Sequence, residues 1–143
     1  MNNNSILILN GPELGDLNLE SIRACCSSRS KQPDTNIDLR QTDDAEVMFR
    51  WITKDSENFG ALIINPAGYS GASSISYETY CSAIETIAHL KKPIIEVHIS
   101  NIFHPGDETT RPLQVPEANI GFICGMGVQS YLLAISAIER RLT

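Results

Sequence analysis

The stretch Pro93-Ile94-Ile95-Glu96-Val97-His98-Ile99-Ser100-Asn101 decides how the rest of the chain is read. Its first seven residues are mostly β-branched and start at a proline, which predicts a buried strand over 93–99. Side chains alternate along a strand, so Glu96 and His98 share one face and the carboxylate can orient the imidazole. Upstream, a helix is predicted over 74–90. Before it, the wholly apolar Ala61 to Ile64 is another strand, followed by the breaker-rich loop Pro66-Ala67-Gly68-Tyr69-Ser70-Gly71. Downstream, Pro105, Pro112 and Pro116 interrupt 103–119 and predict a long irregular segment of the kind that often carries function. Ile120 to Cys124 then reads as a strand, Gly125-Met126-Gly127 as a tight turn, and Gln129 to Arg141 as a final helix.

The amino-terminal half repeats the alternation. Ser5 to Asn10 (SILILN) is an apolar strand stopped by Asn-Gly-Pro. Asn18 is placed to cap a helix over 19–30, whose residues Leu19, Ile22, Cys25, Cys26 and Arg29 recur at three- and four-residue spacing. Asn36 to Gln41 alternates as a strand does, and Ala45, Met48, Trp51 and Ile52 make a helical stripe. Strands alternating with helices imply a parallel sheet covered on both faces, hence the α/β class with five strands in one domain over 1–143.

Composition narrows the function. With 143 residues, 42% hydrophobic and 20% charged, the chain is of a size to bury one core. A net charge of −6 and the absence of any lysine or arginine run exclude the electrostatic footprint of a nucleic-acid or membrane-surface binder. No stretch is long and apolar enough to span a bilayer, and the start lacks a secretion pattern, so a cytoplasmic location is expected. Cys25, Cys26, Cys81 and Cys124 do not have the spacing of a disulfide framework or zinc site, and reduced thiols are expected. His104 has no second ligand at suitable spacing, and Gly125-Met126-Gly127 lacks the third glycine of a dinucleotide fingerprint. No metal and no organic cofactor are expected. A small molecule is the expected partner.

In an open parallel sheet, ligands bind beyond the carboxyl ends of the strands. Four segments converge there: 10–13, 65–71, 98–101 and 125–129. These segments resemble the type II 3-dehydroquinate dehydratases. Leu9-Asn10-Gly11-Pro12 is similar to that family's LNGPN opening, Arg40-Gln41-Thr42-Asp43 to its RQSD, and Ile64-Asn65-Pro66 to its INP. Glu96 to Asn101 is its EVHISN unaltered, and Gly125 to Ala134 is close to its GLGxQGYxLA. The resemblance implies a flavodoxin-like three-layer sandwich and a homo-oligomer, a trimer or a dodecamer built from trimers. It also implies acid–base chemistry without a cofactor: a lid tyrosine, made acidic by an arginine, removes a proton alpha to a ketone, and the EVHIS histidine protonates the departing hydroxyl. Carried over residue by residue, His98 is the general acid, Glu96 orients it, and Asn65 is a substrate-binding amide. The Ile99 and Ser100 backbone amides are the carboxylate anchor. From their positions in the chain, and not by a match to the family, Asn10, Tyr69 and Arg111 are further candidate substrate contacts.

The chain departs from the pattern in the other half of the site. The asparagine of GPN is Glu13, a candidate replacement base, and roughly ten residues are missing between Glu13 and Asn18 where the lid belongs. No tyrosine or suitable arginine stands there. Gly71 replaces a histidine, and Pro105 and Thr109 replace arginines, with Arg111 nearby but out of register. Without the base and the lid, proton abstraction and water exclusion are both lost. The expectation is a repurposed acid–base enzyme of the lyase, isomerase or cyclase type, with a carboxylated or carrier-tethered substrate. The competing expectations are a non-catalytic binding module and residual 3-dehydroquinate dehydratase activity. Two further features have plain structural readings. Cys25 and Cys26 are small core hydrophobes, and Ser73 or Ser74 caps the third helix. The final helix carries Tyr131, Leu132, Leu133, Ile135 and Ile138, too many apolar positions for one stripe, which points to a second packing surface.

Overall fold

A computed structural model describes residues 4–12, 18–27, 35–67, 75–90, 92–103 and 120–142. Its elements run β1 (Ser5–Asn10), α1 (Leu19–Ser27), β2 (Asn36–Gln41), α2 (Ala45–Thr53), β3 (Ala61–Asn65), α3 (Ile75–Ile87), β4 (Ile94–His98), β5 (Ile120–Cys124) and α4 (Gln129–Leu142). The five strands form one parallel sheet in the order β2-β1-β3-β4-β5, the doubly wound arrangement expected from the alternation.

Strand alternation sorts the core into two layers. Leu7, Leu9, Leu62, Ile64 and Ile94 face α2 and α3, where Met48, Ile52, Tyr80 and Ile84 cover them. Ile6, Ile8, Ile63, Ile95 and Val97 face the opposite way, under Ile22 of α1 and Tyr131, Ile135 and Ile138 of α4. Buried on both faces, the strands read as continuous apolar runs. Two caps fix helix starts: Asn18 Oδ1 accepts from the Ser21 amide at 2.9 Å, as the sequence predicts, and Asp44 Oδ1 accepts from Glu46 and Val47.

Some boundaries differ from expectation. The stretch of α1 expected over 28–30 lies outside the described residues. β4 is one residue shorter at each end than 93–99, although the Pro93 carbonyl still accepts from the Leu62 amide. A 3-10 turn over Asp55–Asn58, unforeseen in the sequence, forms where the Ser56 hydroxyl turns back onto the Ile52 carbonyl. Arg40 pairs with Asp38 and Asp55 at 2.8 and 2.5 Å and lies over the Trp51 and Phe59 rings, so this part of the RQTD motif braces β2 against the turn. No helix among the described residues is long and apolar enough to cross a membrane.

Candidate active site

The carboxyl ends of β1 and β3 flank the point where the strand order reverses, and β4 ends beside them. β1 and β3 end in register, Asn10 opposite Asn65, with both side chains on the α4 face. They do not meet directly. The Tyr131 hydroxyl donates to Asn10 Oδ1 at 2.6 Å and accepts from Asn65 Nδ2 at 2.9 Å. Asn10 Nδ2 donates to the Arg40 carbonyl at 3.1 Å, and Asn65 Oδ1 accepts from the Ala67 amide at 3.1 Å. Asn10 and Tyr131 are fully buried and Asn65 nearly so. Burial pushes Tyr131 well above the ordinary tyrosine range, against a smaller lowering by its bond from Asn65, so it stays a neutral hydroxyl.

His98 lies on the other face, because Ile64 is paired with Glu96 and His98 follows two residues later. Its Nε2 is 3.0 Å from Glu96 Oε2, and the Tyr80 hydroxyl of α3 donates to Glu96 Oε1 at 2.7 Å. Glu96 is wholly buried and His98 is 4% exposed. Burial first, then the Glu96 charge and hydrogen bond, hold Tyr80 well above the ordinary tyrosine range, so it remains a donor. The His98 ring lies 5.4 Å from that of Phe122, which is 5.7 Å from that of Phe103. Both phenylalanines reach solvent and form an apolar ledge beside the imidazole.

The loop after His98 is shaped by the glycine turn. Gly125 and Gly127 adopt φ of 87° and 57°, and their amides donate to the carbonyls of His98 and Ile99 at 3.1 and 3.0 Å. A trans peptide points its N–H opposite to its C=O. With both carbonyls turned to Gly125 and Gly127, the Ile99 and Ser100 amides face away from β5. Neither amide has a hydrogen-bonding partner among the described residues. Two adjacent N–H groups without partners among the described residues are an arrangement suited to a carboxylate.

The structure therefore brings His98, Glu96, Ile99 and Ser100 into one cluster. It places Asn10 and Asn65 at the same end of the sheet but on the opposite face, engaged by Tyr131. Both amides are engaged at each polar end, Asn10 by the Arg40 carbonyl and Tyr131, and Asn65 by Tyr131 and the Ala67 amide. Glu13, Tyr69 and Arg111 lie outside the described residues, as do Gly71, Ser73, Ser74, His104, Pro105 and Thr109. Sequence reading missed Tyr80, Tyr131 and Phe122. The signal for Tyr80 was present: a carboxylate in an apolar strand needs a donor from the helix above it. Among the described residues no three metal-ligating side chains cluster.

A doubly wound sheet with a buried imidazole–carboxylate pair at a strand end, next to two adjacent backbone amides without partners among the described residues, is the arrangement that the class II dehydroquinase resemblance implies. The chain belongs to the type II dehydroquinase family: the profile of dehydroquinase class II matches residues 4–139. A 3-dehydroquinate dehydratase of Sinorhizobium medicae is 33% identical over 146 residues, covering 94% of this chain and 93% of that protein. One from Clostridium botulinum strain Loch Maree is 29% identical, covering 98% and 97%. The crystal structure of a type II dehydroquinase from Propionibacterium acnes superposes with a TM-score of 0.73 at 27% identity, covering 96% of this chain and 97% of that one. A 3-dehydroquinate dehydratase-like protein from Bifidobacterium longum gives 0.68 at 28%, with the same coverage.

Proposed function

We propose that this chain is an acid–base enzyme of the lyase type that acts on a small carboxylated molecule other than 3-dehydroquinate. His98 moves the proton, Glu96 orients it, and the Ile99 and Ser100 amides hold the carboxylate. The observation that carries this reading is the intact His98–Glu96 pair at 3.0 Å next to two amides that have no partner among the described residues. The choice of a different substrate rests on Glu13 in place of the family's asparagine and on the short 13–18 segment. We read the chain as one cytoplasmic domain that assembles with its own copies, and the half-exposed Leu133 on α4 supports a further packing face.

The competing reading, 3-dehydroquinate dehydratase activity, is favoured by the names of the relatives. Enone formation from 3-dehydroquinate, followed by ultraviolet absorbance with His98→Ala as control, separates the two. We expect no turnover by either protein, together with shifts of the Ile99 and Ser100 amide resonances when quinate is added. Turnover by the wild type that the variant lacks would overturn the repurposed reading. Absence of both turnover and amide shifts would favour a non-catalytic module.

A further inference from the structure

We infer that Tyr80 is a positioning residue that fixes which nitrogen of His98 exchanges protons with a ligand. The inference deepens the acid–base reading and rests on it for its functional meaning. Its physical content holds with or without turnover.

The argument starts from Glu96, which has two oxygens and no contact with solvent. The Tyr80 hydroxyl occupies Oε1 at 2.7 Å. A hydroxyl hydrogen placed there makes Oε1 an acceptor, so any proton on the carboxyl group could only sit on Oε2, facing His98 Nε2. Two arrangements of that contact are available. In one, Glu96 is ionised and His98 Nε2 carries the hydrogen. In the other, Glu96 is the acid, Nε2 is bare, and the ring's hydrogen moves to Nδ1.

Donation from Tyr80 strengthens the ionised carboxylate and leaves the protonated one without that gain, which selects the first arrangement. Nε2 then holds its hydrogen whether the ring is neutral or cationic. All proton exchange falls to Nδ1, which has no partner among the described residues. In the neutral ring Nδ1 is a base, and in the cationic ring Nδ1–H is an acid. Without Tyr80 the carboxylate loses this donor, which shifts the proton of the pair toward Glu96, and Nδ1 then carries a fixed hydrogen that cannot accept.

On α3, Tyr77 and Cys81 lie near enough to Tyr80 to add to its electrostatics, yet the Glu96 bond comes from Tyr80. On the β5 side His98 meets the Phe122 ring, which has no hydrogen to donate to the carboxylate.

The test is the tautomer of His98, read from the 15N shifts of its ring nitrogens in labelled protein without ligand. In the wild type we expect hydrogen on Nε2 throughout the range over which the protein is folded, and a bare Nδ1 in the neutral ring. In Tyr80→Phe we expect the Nε2 signal to move toward that of a bare nitrogen, with hydrogen appearing on Nδ1. A neutral wild-type ring carrying its hydrogen on Nδ1 would overturn the inference without any variant. So would a Tyr80→Phe protein whose tautomer equals that of the wild type. Should Tyr80→Phe not fold, Tyr80→Leu removes the same hydroxyl and is read in the same way. Because no substrate enters the experiment, a protein inactive on every compound tried can still confirm or refute the role of Tyr80.

Discussion

The hydroxyl of Tyr131 donates to Asn10 Oδ1 across 2.6 Å, tying the end of β1 to the first turn of the helix that follows β5. The same oxygen accepts from Asn65 at the end of β3. One buried hydroxyl thus closes the α4 face of the sheet at the point where ligands enter folds of this class. On the opposite face a second tyrosine, Tyr80, donates to Glu96.

Tyr131→Phe keeps the ring and removes the bridge. Asn10 Oδ1 loses its donor and Asn65 Nδ2 its acceptor, in surroundings with almost no solvent. An unsatisfied buried polar group costs about 1–3 kcal/mol, so the pair should cost about 3 kcal/mol in urea unfolding. A loss below about 1 kcal/mol would mean that water replaces the hydroxyl and that this end of the sheet is open.

Alkaline unfolding should report the two tyrosines directly. Both are raised by burial above the ordinary value of 10.0. Their contribution to stability is complete below pH 10.0, where folded and unfolded chains both keep the protons. It is lost as the pH rises from there through the folded values, because only the unfolded chain releases them. Each group adds a slope of about 1.4 kcal/mol per pH unit. Tyr80→Phe and Tyr131→Phe should each flatten the curve by one proton. Lys92, lowered by burial, acts in the opposite sense, but it is common to all three proteins and drops out of the comparison. Equal slopes in all three would show that neither hydroxyl is protected.

Ser130, the second residue of α4, is wholly buried, and its hydroxyl has no partner among the described residues. It stands where the family's GLGxQGYxLA has glycine. Ser130→Ala removes the orphan and improves helix propensity, and should stabilise the protein by about 1 kcal/mol in thermal or urea unfolding. Destabilisation of similar size would show that the hydroxyl is bonded after all.

How much of this was legible in the sequence follows from where each signal resides. The sheet was legible because strands buried on both faces, such as 5–10 and 61–65, leave unbroken apolar runs. The Glu96–His98 pair was legible because it depends only on a two-residue repeat. Tyr131 was not, because a tyrosine in a helical stripe looks the same whether its hydroxyl reaches solvent or a buried partner, and for Tyr80 only the need of Glu96 for some donor was legible. The face on which Asn65 points, opposite to His98, needed the pairing of Ile64 with Glu96, a register that no local pattern encodes.

Gly125→Ala and Gly127→Ala separate backbone strain from crowding. A Cβ on Gly125 would lie 3.5 Å from Asn101 Cβ, an ordinary contact, and one on Gly127 would meet nothing within 4 Å. Both residues have positive φ, so each substitution should cost about 1–2 kcal/mol through the backbone alone. Each should also release a carbonyl of the 98–99 segment and weaken the quinate-induced shifts of the Ile99 and Ser100 amides. Wild-type stability in both variants would show that the turn does not need the left-handed conformation.

The last prediction asks whether the Tyr80–Glu96–His98 network serves stability or chemistry. A buried carboxylate carries a desolvation cost of several kcal/mol that its partners offset only in part. Removing one member alone should therefore hurt: Glu96→Leu strands the Tyr80 hydroxyl and the His98 nitrogen and should cost about 3–5 kcal/mol. Replacing all three with apolar residues, as Tyr80→Phe, Glu96→Leu and His98→Leu together, removes every polar group of the Tyr80–Glu96–His98 network at once. Such replacements are often neutral or stabilise by about 1–4 kcal/mol, and we expect the triple variant to match or exceed the wild type in urea unfolding. That result would mean the fold does not need the network, which is what a site retained for proton transfer predicts. A triple variant well below the wild type would make the network a structural element and remove a main support for catalysis, leaving the non-catalytic module as the stronger reading.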